Sequence, residues 1–219
     1  MIVSTIVKIL DEAEKQGTLT ENKIRMMEEK LQYLVPAVNG LFTKHYRAIL
    51  LSDLAILFYK LNDEFNGDLA LKTAINLAGD NADTVRDIIM ELVKRGLLAK
   101  ASYALKMVKN HDIIDVVLVN LAESFYLAGD EQRAALILKH ISHPFQRAMA
   151  LYYMASIEEE RDKEKALRIL KAAFEEAKKV ESPTARFELM LKLYDLEHRL
   201  LGKSLNVRDV LSWGEAPPE

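Results

Sequence analysis

Hydrophobic residues fall at helical spacing along almost the whole of this 219-residue chain. Val3, Ile6, Val7 and Leu10 stand at i, i+3, i+4 and i+7, the stripe of an amphipathic helix. Gly17 is expected to stop that helix. Thr20 opens a second, with Ile24, Met27, Leu31 and Leu34 on one side, and Pro36 and Gly40 are expected to break it. From residue 46 the stripes come in pairs. Leu51, Leu54, Ala55 and Phe58 precede Ala70, Ala74 and Leu77, with 62–67 as the turn. Val85, Ile88, Ile89 and Leu92 precede Ala101, Leu105 and Val108 across Gly96. Leu118, Leu121, Ala122 and Phe125 precede Ala134, Leu138 and Ile141 across Gly129 and Asp130. Ala150, Tyr153, Met154 and Ile157 precede Ala166, Leu170 and Ala173 across Arg161 and Asp162.

A glycine after a first helix supplies a left-handed terminating residue. Asp130 and Asp162 are placed to cap the second helices by accepting backbone N–H bonds. Ser182-Pro183 opens a further helix, Thr184 to Leu201, with Phe187, Leu191, Tyr194 and Leu201 on one face, and Gly202 ends it. A short turn over Val207 to Trp213 and a frayed tail from Gly214 to Glu219 complete the reading. No apolar–polar alternation of strand type occurs, so the expected fold class is all-α.

The pairs repeat. Leu121-Ala122-x-x-Phe125, Gly129, Ala134, Leu138 and Ile141 match Ile88-Ile89-x-x-Leu92, Gly96, Ala101, Leu105 and Val108 under one constant shift of about 33 residues, a period typical of stacked helical hairpins. This pattern resembles the tetratricopeptide repeat over residues 48–176, best over 112–143. It departs from it where the usual tryptophan is Leu51, Val85, Leu118 or Ala150, where Ile89 and Met154 replace a small residue, and where the closing proline is missing. The resemblance implies a right-handed α-α superhelix of about four hairpins over 46–181. An N-terminal helical cap (1–45), C-terminal capping helices (182–213) and a tail (214–219) flank it. Ala122 against Ala134, and Ala55 against Ala70, would then sit where two helices touch, because short side chains let the axes approach.

The same resemblance implies a concave groove for a peptide or helix. Its positions would be Ile49, Ser52, Ile56 and Tyr59; Asp83, Arg86, Met90 and Val93; Val116, Val119, Glu123 and Tyr126; and Ala148, Leu151, Ala155 and Glu158. The candidate partner-binding residues are Ile56, Tyr59, Arg86, Met90, Val116, Val119, Glu123, Tyr126 and Leu151. This surface is apolar, with Arg86 its one basic residue, which argues against a carboxylate clamp. Three readings stay open: the chain fills its own groove with helix 184–201 or the N-terminal helices, a partner helix or peptide fills it, or it is a homo-oligomer interface.

Composition narrows the function without naming it. The net charge of −3 gives no global attraction to nucleic acid or anionic lipid. Absence of cysteine removes disulfides and thiolate chemistry and fits a reducing cytoplasm. Few glutamines beside many lysines and glutamates hint at a thermophile. The N-terminal run lacks a basic start and reads as an amphipathic helix, not a signal peptide. The most apolar stretch, Ala48 to Tyr59, is interrupted by Ser52-Asp53 and is too short to cross a bilayer.

No phosphate loop, His-Glu-x-x-His or nucleophile elbow is present, and no cofactor is expected. His140 with His143, and Asp195 with His198, are too few to make a metal site. Glu158 to Lys165 reads as a solvated turn with paired charges. The run from Leu92 to His111 has no acidic residue and carries Lys94, Arg95, Lys100, Lys106 and Lys109, a basic patch for phosphates or for an acidic protein surface. The expectation is a non-catalytic protein-interaction scaffold with a peptide or helix as partner and no membrane. A self-associating structural subunit is the alternative, and a nucleic-acid binder acting through the basic run is a weaker one.

Overall fold

The computed structural model describes residues 2–41 and 43–202, and the expected turn at 207–213 and tail at 214–219 lie outside them. Eleven helices make up the described residues, with no strand among them. They are α1 (Ile2–Lys15), α2 (Glu21–Leu41), α3 (Lys44–Lys60), α4 (Glu64–Ala78), α5 (Ala82–Lys94), α6 (Leu98–Met107), α7 (His111–Leu127), α8 (Glu131–His140), α9 (Pro144–Glu158), α10 (Lys163–Ala177) and α11 (Pro183–Leu201). The chain divides into two compact units, residues 1–113 and 114–219. No helix among the described residues is long and apolar enough to cross a membrane.

Helix ends sit on the expected chemistry. Asp130 accepts a 3.1 Å bond from the Arg133 N–H, Asp162 a 3.0 Å bond from Lys165 N–H, and Ser182 Oγ a 3.4 Å bond from Ala185 N–H. Gly129 and Gly202 adopt φ of +85° and +66°, the left-handed conformation that stops a helix without a Cβ clash.

Two boundaries differ from expectation. First, α2 continues through Pro36 and Gly40 to Leu41. Proline removes one backbone bond, to the carbonyl four residues earlier, and the packing of α2 against α3 holds the rest of the helix. Second, the first hairpin turns within three residues, not over 62–67. Asn62 takes φ of +64°, and Asp63 caps α4 by accepting from Asn66 N–H at 3.1 Å, so Gly67 lies inside α4. Its lack of a side chain serves packing instead of turning. A Cβ there would fall 2.6 Å from Cδ1 of Tyr59.

In the first unit α3 is the central helix. It packs against α1, α2, α4 and α5, and residues 54–59 are all buried. A helix apolar on every side must be covered on every side. In the second unit α9, α10 and α11 share one core. Ala148, Leu151 and Ala155 of α9 meet Leu170 and Ala173 of α10 and Leu189, Leu193, Leu196 and Leu200 of α11. Each buried leucine of α11 contributes about 2 kcal/mol of gross hydrophobic stabilisation. A second cluster joins Ala122, Tyr126, Ala134 and Met154, which places Ala122 and Ala134 together with no exposed surface, as expected for a close helix approach.

Candidate functional site

The open apolar groove expected from the repeat is largely closed by the chain itself. Ile56, Tyr59, Val119, Tyr126 and Leu151 are buried. For Ile56 and Tyr59 the reason is the central position of α3. For Leu151 it is α11, whose leucines occupy the face of α9 that the groove would have offered. Arg86, Met90, Val116 and Glu123 are half-buried. Arg86 is held by Asp83 at 2.8 Å and Asp87 at 3.0 Å, and burial pushes the Glu123 carboxyl above its usual range.

The tyrosines have a structural task. Tyr59 O–H donates to Asp68 at 2.8 Å. Lys100 pairs with Asp68 at 2.7 Å and with Glu64, and lies over the Tyr59 ring. Tyr126 O–H donates to Glu158 at 2.9 Å. Lys165 pairs with Glu158 at 3.1 Å and Glu131 at 2.7 Å, and lies over the Tyr126 ring. The same clasp is built twice. A tyrosine near the end of α3 or α7 meets a lysine in the first turn of α6 or α10 through a carboxylate, and Glu64 and Glu131 open α4 and α8. Burial is the largest influence raising both tyrosine pKa values. Glu158, 5 % exposed, is therefore not part of a solvated turn. Its position at the end of α9 turns it onto Tyr126.

The basic run shrinks for a similar reason. Lys100 is spent in the first clasp, and Arg95 pairs with Glu91 at 2.7 Å on its own helix. Lys94, Lys106 and Lys109 remain exposed. Arg147, a further cation in the sequence, is bound to the Ile141 and Ser142 carbonyls and to Glu176. His143 caps α9 by accepting from Phe145 N–H at 3.2 Å, while buried Asp115 accepts from the N–H groups of Ser142 and His143. Among the described residues no three His, Asp or Glu side chains are grouped to hold a metal ion.

One cleft of unit 1, of about 390 Å³, lies between α3 and α5. It is lined by His45, Tyr46, Ile49, Ser52, Asp53, Asp87, Ile88 and Glu91. Ile49 and Ser52 were expected groove positions, whereas the three carboxylates were not. The floor is Ser52, 3 % exposed, and Ile88 is buried beside it, while Tyr46 stands exposed at the rim. Asp87 and Glu91 face α3 from one side of α5, each already bonded to an arginine of its own helix or its end. Asp53 makes no hydrogen bond or ion pair among the described residues. Burial, then the neighbouring Glu91 charge, push its carboxyl from 3.8 up to about 6, against the opposing pull of the N-terminal ammonium and then of Arg95.

His45 fixes one end of the cleft. Its Nδ1 lies 2.6 Å from Thr84 Oγ1, and the Thr84 hydroxyl donates at 2.8 Å to Asn81 Oδ1, which also caps α5 through Thr84 N–H. A hydroxyl has one proton, and Asn81 Oδ1 can only accept. Nδ1 of His45 is therefore the donor to Thr84, and the ring is locked in orientation. Two sequence signals pointed here. Ser52-Asp53 interrupts the most apolar stretch of the chain, and Asp87 and Glu91 place like charges at i, i+4, a spacing that costs stability unless something opposes it.

No protein-family model, curated protein or solved structure matches the chain. The likeness to the tetratricopeptide repeat thus rests on residue spacing alone.

Proposed function

We propose that this chain is a non-catalytic protein-interaction scaffold that docks a segment of a partner protein, a peptide or a helix, against α3 and α5. The observation that carries this reading is the α3/α5 cleft itself, with apolar walls at Ile49 and Ile88, an exposed aromatic rim at Tyr46 and a polar floor. Its volume lies within the roughly 300–1,000 Å³ of ordinary ligand sites. Such a mixture suits one anchoring side chain surrounded by complementary contacts. The cysteine-free composition suits a cytoplasmic setting.

Panning a random dodecapeptide library on the full chain tests the reading. Selected peptides should lose about tenfold or more in affinity for Ile49→Lys, a change at the half-buried wall that plugs the cleft. Failure to select any peptide, or binding indifferent to Ile49→Lys in a folded variant, overturns it.

A second reading is self-association through α1 and α2. Ile9, Met26 and Tyr33 are exposed there, Tyr33 to 80 %, beside a cavity of 270 Å³ lined by Ile9, Leu10, Leu19, Met26 and Met27. Sedimentation velocity across a concentration series decides it. A mass that rises with concentration and returns to that of a monomer in Tyr33→Glu supports it, and a constant monomer removes it.

A further inference from the structure

Three carboxylates converge on the α3/α5 cleft, but they are not equivalent. Asp87 accepts from the Arg86 guanidinium at 3.0 Å and Glu91 from Arg95 at 2.9 Å. Asp53 has no such partner among the described residues. Beneath it, Ser52 is almost wholly buried and lines the same cavity, yet its hydroxyl makes no hydrogen bond among the described residues. A half-buried carboxylate with no hydrogen-bonded partner among the described residues carries a desolvation cost that a suitable ligand removes, and the Ser52 hydroxyl, on the lining of the same cleft, is placed to bond that ligand. The charges acting on Asp53 are Glu91, which raises its carboxyl, and the chain's N-terminal ammonium and Arg95, whose pull is outweighed by burial and Glu91; Arg95 is itself bound to Glu91, and His45 to Thr84.

We propose that the α3/α5 cleft receives one cationic side chain, an arginine or lysine carried by the docked segment of a partner protein, with Asp53 as its counter-ion and the Ser52 hydroxyl as a second acceptor. The partner as the source of that cation rests on the docking function proposed above; the cation site itself does not. Ile49 and Ile88 flank the path that the methylene stem takes, and the exposed Tyr46 ring borders the charged head. Burial and Glu91 together raise the Asp53 carboxyl, and an incoming cation reverses that penalty, so charge complementarity selects a cation over a neutral chain of the same length.

A matched pair of small probes isolates the charge. Amide spectra of the ¹⁵N-labelled full chain are recorded against n-butylguanidinium chloride and against neutral n-butylurea, at constant ionic strength. Saturable shifts at the amides of Ser52, Asp53, Asp87 and Glu91 are expected from the guanidinium, with binding about tenfold or more weaker for the urea and for the isosteric Asp53→Asn. Ser52→Ala, which removes only the hydroxyl, should weaken the guanidinium severalfold and serves if Asp53→Asn does not fold. An equal response to both probes, a response unchanged in Asp53→Asn, or no shift at these amides overturns the cation site. If the guanidinium binds but no library peptide does, the cation site stands and the docking function falls. If peptides bind the cleft while both probes behave alike, docking stands and the cation falls.

Discussion

Replacing Asp53 with asparagine should stabilise the first unit at neutral pH and leave it unchanged in acid. The carboxyl moves from its ordinary 3.8 to about 6 on folding, with burial the larger cause and the Glu91 charge the next. Two pKa units correspond to about 3 kcal/mol, and because Asp53 is half-buried rather than sealed, solvent screening brings this to about 1.5 kcal/mol. The folded state binds its proton more tightly than the unfolded chain does. Well below pH 3.8 both states are protonated and the penalty is absent. Between pH 4 and 6 the unfolded chain ionises first, so stability falls as pH rises. Above pH 6 the full cost is in place. Asparagine keeps the shape and has no proton to lose. Urea titrations read by hydrogen exchange on α3 peptides report the first unit alone. The expected result is a gain of about 1.5 kcal/mol at pH 7.5 that vanishes near pH 3. A loss at pH 7.5, or the same change at both pH values, would refute the reasoning.

Three further substitutions probe the packing. Gly67→Ala should cost about 1–2 kcal/mol in urea unfolding despite alanine's better helix propensity, because the new methyl meets a Tyr59 ring pinned by Asp68 and Lys100; in a Tyr59→Ala background the same change should become neutral or stabilising. Tyr126→Phe should cost about 1–2 kcal/mol and more than Tyr59→Phe, since it strips a bond from buried Glu158 whereas Asp68 stays partly in water; equal losses in the two urea titrations would contradict this. Leu151→Ala should destabilise the α9–α11 core by about 2–4 kcal/mol in thermal or urea unfolding, and an unchanged midpoint would mean that the position is open surface after all.

Much of the helical layout was legible because helix ends obey local chemistry. Asp130, Asp162 and Ser182 act as caps wherever they precede a helix, and Gly129 and Gly202 stop one, whatever the rest of the chain does. Local rules failed where tertiary packing outvoted them. Pro36 was read as a breaker, but α3 holds α2 together across it. Gly67 was read as a turn, though its role is to make room for Tyr59.

What covers the groove positions was not legible, for a deeper reason. Periodicity says which face of a helix is apolar, and it does not say what covers that face. Leu151 is apolar in the sequence whether α11 lies on it or a partner does. The cleft was half legible. Ser52 and Ile49 were found by their offsets, whereas Asp53, Asp87 and Glu91 read as ordinary surface acids until α3 and α5 lie side by side.

The most direct test of the account is to map a library-selected peptide onto the ¹⁵N-labelled full chain by amide chemical shifts. The account predicts that the shifts concentrate on residues 45–53 of α3 and 87–91 of α5, and that replacing the peptide's arginine or lysine by norleucine abolishes them. Shifts centred on α1 and α2, or on the exposed lysines Lys94, Lys106 and Lys109, or a peptide whose binding survives the norleucine change, would contradict it.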